Sequence, residues 1–275
     1  DVAKEKLTQE QQALVGDRPV IDLSVMSNGS LISDFGGGSA AVSIPYTLAE
    51  GESADSIVVW HLADDGTLTP VDCSYKDGML AFKTDHFSQY VLAYFPFGDL
   101  SGGEWYYENV AYAYTNGLMD GVGNKRFNPS GTTTRGMVVT ILWRLEGSPV
   151  PTMHSFADVA DGMWYADAIS WAAVNGIAEG YGGKFNPEAA ITREQTAAII
   201  YRYAAYKGYD LSGLSDLTSF TDTDDVSDWA GNAMKWAVKS KLLSGMGNNK
   251  LDPKGSAHRA QVAAILQRFI ENTTM

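Results

Sequence analysis

The sequence predicts a chain of mixed class, α and β in separate domains. A small antiparallel β-sandwich is expected over residues 19–95, followed by an all-α bundle of three helix-loop-helix repeats across residues 96–270. Two observations carry that expectation. Short apolar runs punctuated by turn signals fill the first third, and the texture changes near Phe95 to Phe97. After that point one set of landmarks recurs three times, which marks tandem units.

The length of 275 residues is long for one domain and comfortable for two. An apolar fraction of 45% supplies real cores, so disorder is not the default. The net charge is −13. Residues 1–95 hold 5 basic and 14 acidic side chains, a balance of −9, and residues 96–275 hold 15 and 19, a balance of −4. Such a balance argues against a nucleic-acid partner, whose surface would be basic. It disfavours anionic lipid as well, and no apolar run approaches a membrane span, so no membrane partner is expected. A local cationic pocket for an acidic ligand stays open. Cys73 is the single cysteine, which rules out an intramolecular disulfide. The chain opens at Asp1 without Met or a signal pattern. It reads as a fragment whose covalently linked upstream domains are missing, with residues 1–18 a short leading helix or linker.

In the first third, Ser56 to Trp60 and Tyr90 to Tyr94 read as strands. Asp64-Asp65-Gly66 and Lys76-Asp77-Gly78 are turn signals between them. Seven or so short strands is a sandwich-like number, with Trp60 or Tyr90 expected in the core.

The repeats open at Phe97-Gly-Asp99, Phe156-Ala-Asp158 and Phe220-Thr-Asp222. Trp105, Trp164 and Trp229 follow. Twelve residues later stand Gly117, Gly176 and Lys241, and four further on Gly121, Gly180 and Gly245. Next come Phe127-Asn-Pro129, Phe185-Asn-Pro187 and Leu251-Asp-Pro253. Eight residues after that Phe or Leu is an arginine each time: Arg135, Arg193, Arg259. The units are expected over 96–148, 155–208 and 219–272.

One unit can be read physically. Ala168, Ile169, Ala172 and Ala173 fall at helical spacing, and Asn175-Gly176 is a helix stop. A glycine-rich loop ends in an Asn-Pro turn. Thr192-Arg193-Glu194-Gln195 then has capping-box spacing and opens a second helix. Such a unit cannot bury its apolar face alone, whereas three packed around a shared axis can. Repeat three is the most degenerate, with Lys241 at the stop, Ala230 after the Trp and His258 at the cap, while repeat one has Gly136 and Met137 after its arginine.

These residues resemble the S-layer homology family. The marks are the Phe-x-Asp opening, the Trp-Tyr pair, the Gly-Ile-x-x-Gly loop entry, the Phe-x-Pro turn and the Ile-Thr-Arg-Glu-Gln run, best seen from Phe156 to Arg202. The resemblance implies a pseudo-threefold bundle of three repeats with grooves between neighbours. It implies an extracellular protein of the cell wall or S-layer, with secondary cell-wall polysaccharide as partner, often ending in pyruvylated N-acetylmannosamine. It also implies that Arg135, Arg193 and Arg259, with Asp99, Asp158 and Asp222 and with Trp105, Trp164 and Trp229, line those grooves. The chemistry agrees, since a pyruvyl ketal carries a carboxylate and arginine offers a planar fork that matches it. At a helix start, free backbone N–H groups also favour an anion. Each class keeps a structural alternative: Trp as core, Asp as helix cap, Arg as a salt bridge between repeats.

The run His86-Phe87-Ser88-Gln89-Tyr90 is similar to the self-cleaving sites of adhesion-receptor β-sandwiches and of a nucleoporin. There a serine attacks the preceding carbonyl while histidine accepts its proton. A strand edge with a capping Ser is the favoured reading here. His61, His86, His154, His258 and Cys73 show no metal-ligand spacing. Asp222, Asp224, Asp225 and Asp228 lack the glycine and final glutamate of a calcium loop. Hence no catalytic residue, metal or cofactor is expected, and the chain is read as a non-enzymatic wall anchor. The alternatives are a self-assembling S-layer lattice protein, or a piece of a surface enzyme or of a protein that processes itself at Phe87-Ser88.

Overall fold

The computed structural model describes residues 4–7, 11–12, 15–32, 35–49, 52, 54, 57–95, 97–100, 103–151 and 156–273. The chain divides into two compact units, Asp1–Asn128 and Pro129–Met275. The leading-helix expectation falls in good part outside the described residues, which show a 3-10 turn at Lys4–Lys6.

Among the described residues the first unit holds nine strands: β1 (Val20–Asp22), β2 (Val25–Ser27), β3 (Ser30–Ile32), β4 (Ala40–Pro45), β5 (Ile57–Leu62), β6 (Leu68–Val71), β7 (Cys73–Lys76), β8 (Met79–Thr84) and β9 (Gln89–Tyr94). They form a sheet in the order β1-β9-β5-β6, a second in the order β4-β8-β7, and the hairpin β2-β3, all antiparallel. Turn chemistry fixes the hairpins. Asn28-Gly29 and Asp77-Gly78 both carry positive φ at each residue, as a two-residue turn with the strand's own twist requires. Ile57, Val59, Tyr90 and Leu92 of the first sheet pack with Leu80 and Phe82 of the second in one buried cluster. Trp60 and Tyr90 are both fully buried. Helix α1 (Tyr107–Thr115) belongs to this unit and packs on β6.

The second unit contains α2 (Arg135–Leu145), α3 (Ala166–Val174), α4 (Arg193–Tyr206), α5 (Gly231–Lys239) and α6 (Arg259–Thr273). Helix α2 packs on α3, and α4 on α5. The segments just before α2, α4 and α6 are extended and bridge one another at Thr132 with His258, Thr134 with Ala190 and Thr192 with Ser256.

The expected fold class is therefore corrected. The three repeats do not make a separate all-α pseudo-threefold bundle. The division at Asn128 and Pro129 cuts through the first of them and leaves α1 with the strands. The physical reason is that α1 buries its apolar face against β6, and Asn116 at its end donates to the Leu68 carbonyl at 3.2 Å. In the second unit the extended bridges join the segments that lead into α2, α4 and α6.

Candidate functional site

Each repeat builds its glycine loop from the same parts. The residue between Phe or Leu and Pro is left-handed at Asn128, Asn186 and Asp252, with φ of 58°, 57° and 52°. Asn and Asp tolerate that conformation best among residues with a side chain, which explains their place in the turn. The opening aspartate clamps the turn from the far end of the unit. Asp158 accepts the N–H of Phe185 at 2.8 Å and of Asn186 at 2.7 Å. Asp222 does the same for Leu251 and Asp252, and Asp99 for Phe127 and Asn128, all at 2.8 Å. Burial pushes these carboxyl groups up, but the paired backbone donors outweigh it and hold all three below the usual carboxylate range. Gly180 lets the loop close. A Cβ there would collide with the Phe156 ring and the Lys184 carbonyl, while at Gly245 the same contacts relax to 3.1 and 3.2 Å.

The helix-start arginines reach across to the following repeat. Arg135 donates from Nε to the Phe185 carbonyl at 3.0 Å and from Nη2 to the Glu179 carbonyl at 2.8 Å. Its guanidinium also sits 4.7 Å from the Phe185 ring centre. Arg193 repeats the pattern one unit on, with Leu251 and Ser244 carbonyls both at 2.7 Å, and it is 3% exposed. Arg259 is buried as well. The anion seat expected at the helix starts is not free. The N–H groups of Arg193 and Glu194 go to the carbonyls of Gly255 and Pro253, and those of Arg135 and Gly136 to Ala189 and Pro187. The Thr192 cap and its reciprocal Gln195 bond form as the spacing predicts.

The tryptophans are turned outward: Trp105, Trp164 and Trp229 are 62%, 51% and 55% exposed. In the second unit a groove of about 450 Å³ opens beside Arg135. Its lining includes Arg135, Glu179, Tyr181, Gln195, Arg202 and Trp229. Of the expected site residues, Arg135 and Trp229 thus share one groove, while Arg193 is turned into the third repeat's loop. Arg202 was missed by the sequence reading, yet the signal existed. An arginine follows each helix-start arginine by nine residues, at Arg144, Arg202 and Arg268. Burial, then the neighbouring Arg202, pull the Arg135 pKa below the usual arginine value, and Asp158 opposes this in part. Among the described residues Arg202 has one carboxylate near it, Glu179 at 3.8 Å, which is largely exposed and so screened.

In the first unit Ser88 faces His61, with Oγ 3.2 Å from Nε2, and His86 pairs through Nδ1 with Asp85 at 2.6 Å. His154 lies outside the described residues.

The S-layer homology domain matches residues 96–136, 155–197 and 219–263. The chain therefore belongs to the S-layer homology family, as three tandem copies of that domain. It is 33% identical over 207 residues to an amylopullulanase of Thermoanaerobacterium thermosulfurigenes, covering 74% of this chain and 11% of the relative. It is 31% identical over 160 residues to a surface-layer 125 kDa protein of Lysinibacillus sphaericus, covering 57% and 13%. A cellulosome-anchoring protein of Acetivibrio thermocellus matches at 25% over 177 residues, covering 62% and 37%. The chain thus spans a minor part of the length of each of these relatives. The S-layer homology domain is a binding and anchoring domain, carried by enzymes as their anchor, and it marks a protein of the bacterial cell surface, outside the cell and associated with the wall.

Proposed function

We propose that this chain holds a surface protein on the wall by gripping an anionic, pyruvylated wall polysaccharide in the groove of Arg135, Arg202 and Trp229. One observation carries the reading: two guanidinium groups share a groove with an exposed indole in a protein of net charge −13. Against these two cations the lining sets one carboxylate, Glu179, which is largely exposed and screened, so the cleft stays net positive and favours an anion. Arg135 is positioned by the Phe185 and Glu179 carbonyls. Its fork is therefore pre-organised, and Arg202 brings the second charge from the facing helix. A ketal carboxylate suits that pair, because a bidentate arginine contact is both strong and directional. Trp229 and Tyr181 give flat faces on which sugar rings stack. The aspartates enter this account as clamps that shape the loop, and Arg193 as the brace of the next loop. No covalent step is needed.

Sedimentation with purified wall sacculi tests the reading. The chain is expected to pellet with intact sacculi and to stay in solution once the polysaccharide is stripped. Pelleting with bare peptidoglycan would contradict it, and two-dimensional assembly in the absence of wall would favour the lattice alternative.

A further inference from the structure

Four residues of α4 line the groove, Gln195, Ala198, Ile199 and Arg202, and their helical spacing puts them on one face. Gln195 and Arg202 stand nearly two turns apart on that face, about 10 Å along the axis. Arg202 brings charge to one end of this wall, and Gln195 brings an uncharged amide to the other. The helix cap fixes how that amide points. Its Oε1 accepts the Thr192 N–H at 3.0 Å, and the Gln195 N–H returns to Thr192 Oγ1 at 3.2 Å. With the oxygen committed to a backbone donor, the Nε2 end carries two N–H groups still to be placed. Among the described residues no acceptor meets them, and the side chain is half-buried at the groove wall.

The other two helix starts differ at this group. Repeat three also has a glutamine, Gln261, whose Oε1 takes the His258 N–H at 3.0 Å. Its Nε2, however, donates to Met246 Sδ at 3.0 Å. Met246 holds the place just after the loop glycine that Tyr181 holds in repeat two. Repeat one has Met137 at the third helical position and therefore no amide there. Of the three, only the repeat-two helix start turns an uncommitted amide donor to a groove that also holds two guanidinium groups.

We propose that Gln195 is a specificity residue of this groove, whose Nε2 donates to an uncharged acceptor oxygen of the bound sugar, a carbonyl or a hydroxyl. The inference rests on the wall-polymer reading and adds a second recognition point to it. The arginines take the carboxylate, and the amide reads a neutral oxygen at the other end of the α4 wall. A sugar that carries the carboxylate but no acceptor at that distance leaves a half-buried donor without a partner. Losses of that kind discriminate strongly between ligands. Capping and recognition use opposite ends of one amide, so substitution can separate them.

Calorimetry of the full chain with purified wall polysaccharide, beside thermal unfolding, tests the proposal. Gln195→Glu keeps the capping oxygen, because glutamate closes the same box, and its thermal midpoint should stay within about 2 °C of the unaltered chain. Its affinity should fall about ten- to a hundredfold, since the donor is gone and a carboxylate faces an anionic polymer. Gln195→Leu removes the donor and adds no charge. Measured well below its own midpoint, it should bind about three- to tenfold more weakly, as the loss of one neutral hydrogen bond implies. Gln261→Leu loses the equivalent cap in repeat three and should bind as the unaltered chain does. Unchanged affinity in Gln195→Leu would overturn the proposal. So would an equal loss in Gln261→Leu, which would trace the weakening to a loosened cap. Arg202→Gln in the same series keeps the two readings apart. Weakening by Arg202→Gln alone would leave the cationic groove standing and remove only the role of Gln195, whereas affinity unchanged in both variants would overturn the groove as well.

Discussion

Arg193 donates through Nε to the carbonyl of Leu251 at 2.7 Å, so an arginine that opens a helix in the second repeat supports the turn of the third. A second donor from the same fork reaches Ser244, also at 2.7 Å. Lysine carries the charge but lacks the fork. Arg193→Lys is expected to cost about 2–3 kcal/mol, the order of one lost hydrogen bond to a charged group. Denaturant unfolding of the full chain checks this, and a change below a few tenths of a kcal/mol would contradict the bracing role.

Asp222→Asn should destabilise the chain at pH 7, because an amide turns an N–H against one of the two backbone donors. The loss expected is about 1–3 kcal/mol, the cost of leaving a buried donor unsatisfied. The pH sign follows from the depressed pKa of Asp222 in the folded chain. Its contribution is complete above the unfolded carboxyl pKa of about 3.9 and fades as pH falls through the lower folded value. The gap between the unaltered chain and Asp222→Asn should therefore narrow below about pH 4. Thermal unfolding from neutral to acid pH measures it.

Lys241→Gly should stabilise. The helix stop after α5 is left-handed, with φ of 58° at Lys241, where the other repeats place Gly117 and Gly176 at 66° and 67°. A side chain there costs about 1–2 kcal/mol, from which glycine's extra freedom in the unfolded chain must be subtracted. A net gain of about 0.5–1 kcal/mol is expected, read as a rise in Tm. A fall would mean that the lysine side chain makes a compensating contact.

The repeats, the hairpin turns and the capping box were legible because local chemistry writes them. Asp77-Gly78 demands positive φ, and Thr192 with Gln195 closes its cap within four residues. The groove was legible only in part. The acceptors of Arg135 and Arg193 lie 50 and 58 residues further along the chain, so their use as braces cannot be read from spacing. Spacing also leaves the helix-start N–H groups open to an anion, because the carbonyls that take them belong to the next repeat. Arg202 repeats at a fixed offset with Arg144 and Arg268, but its place in a groove depends on packing that spacing does not show. The unit division at Asn128 and Pro129 falls inside a turn whose sequence matches those of the other repeats. His61 and Ser88 meet only through strand register.

The central claim is that the groove arginines meet the carboxylate of the wall polymer. The direct measurement is calorimetry of the unaltered chain and of Arg202→Gln, each with wall polysaccharide carrying or lacking its pyruvyl groups. Arg202 is the better probe because its side chain is partly exposed and braces no loop carbonyl among the described contacts. Losing the arginine or the carboxylate alone should weaken binding by about one to two powers of ten, as one charged hydrogen bond of 1.5–3 kcal/mol implies. Losing both should cost little more than losing either, since the two partners are coupled. Fully additive losses would show that Arg202 does not touch the carboxylate, and would contradict the account.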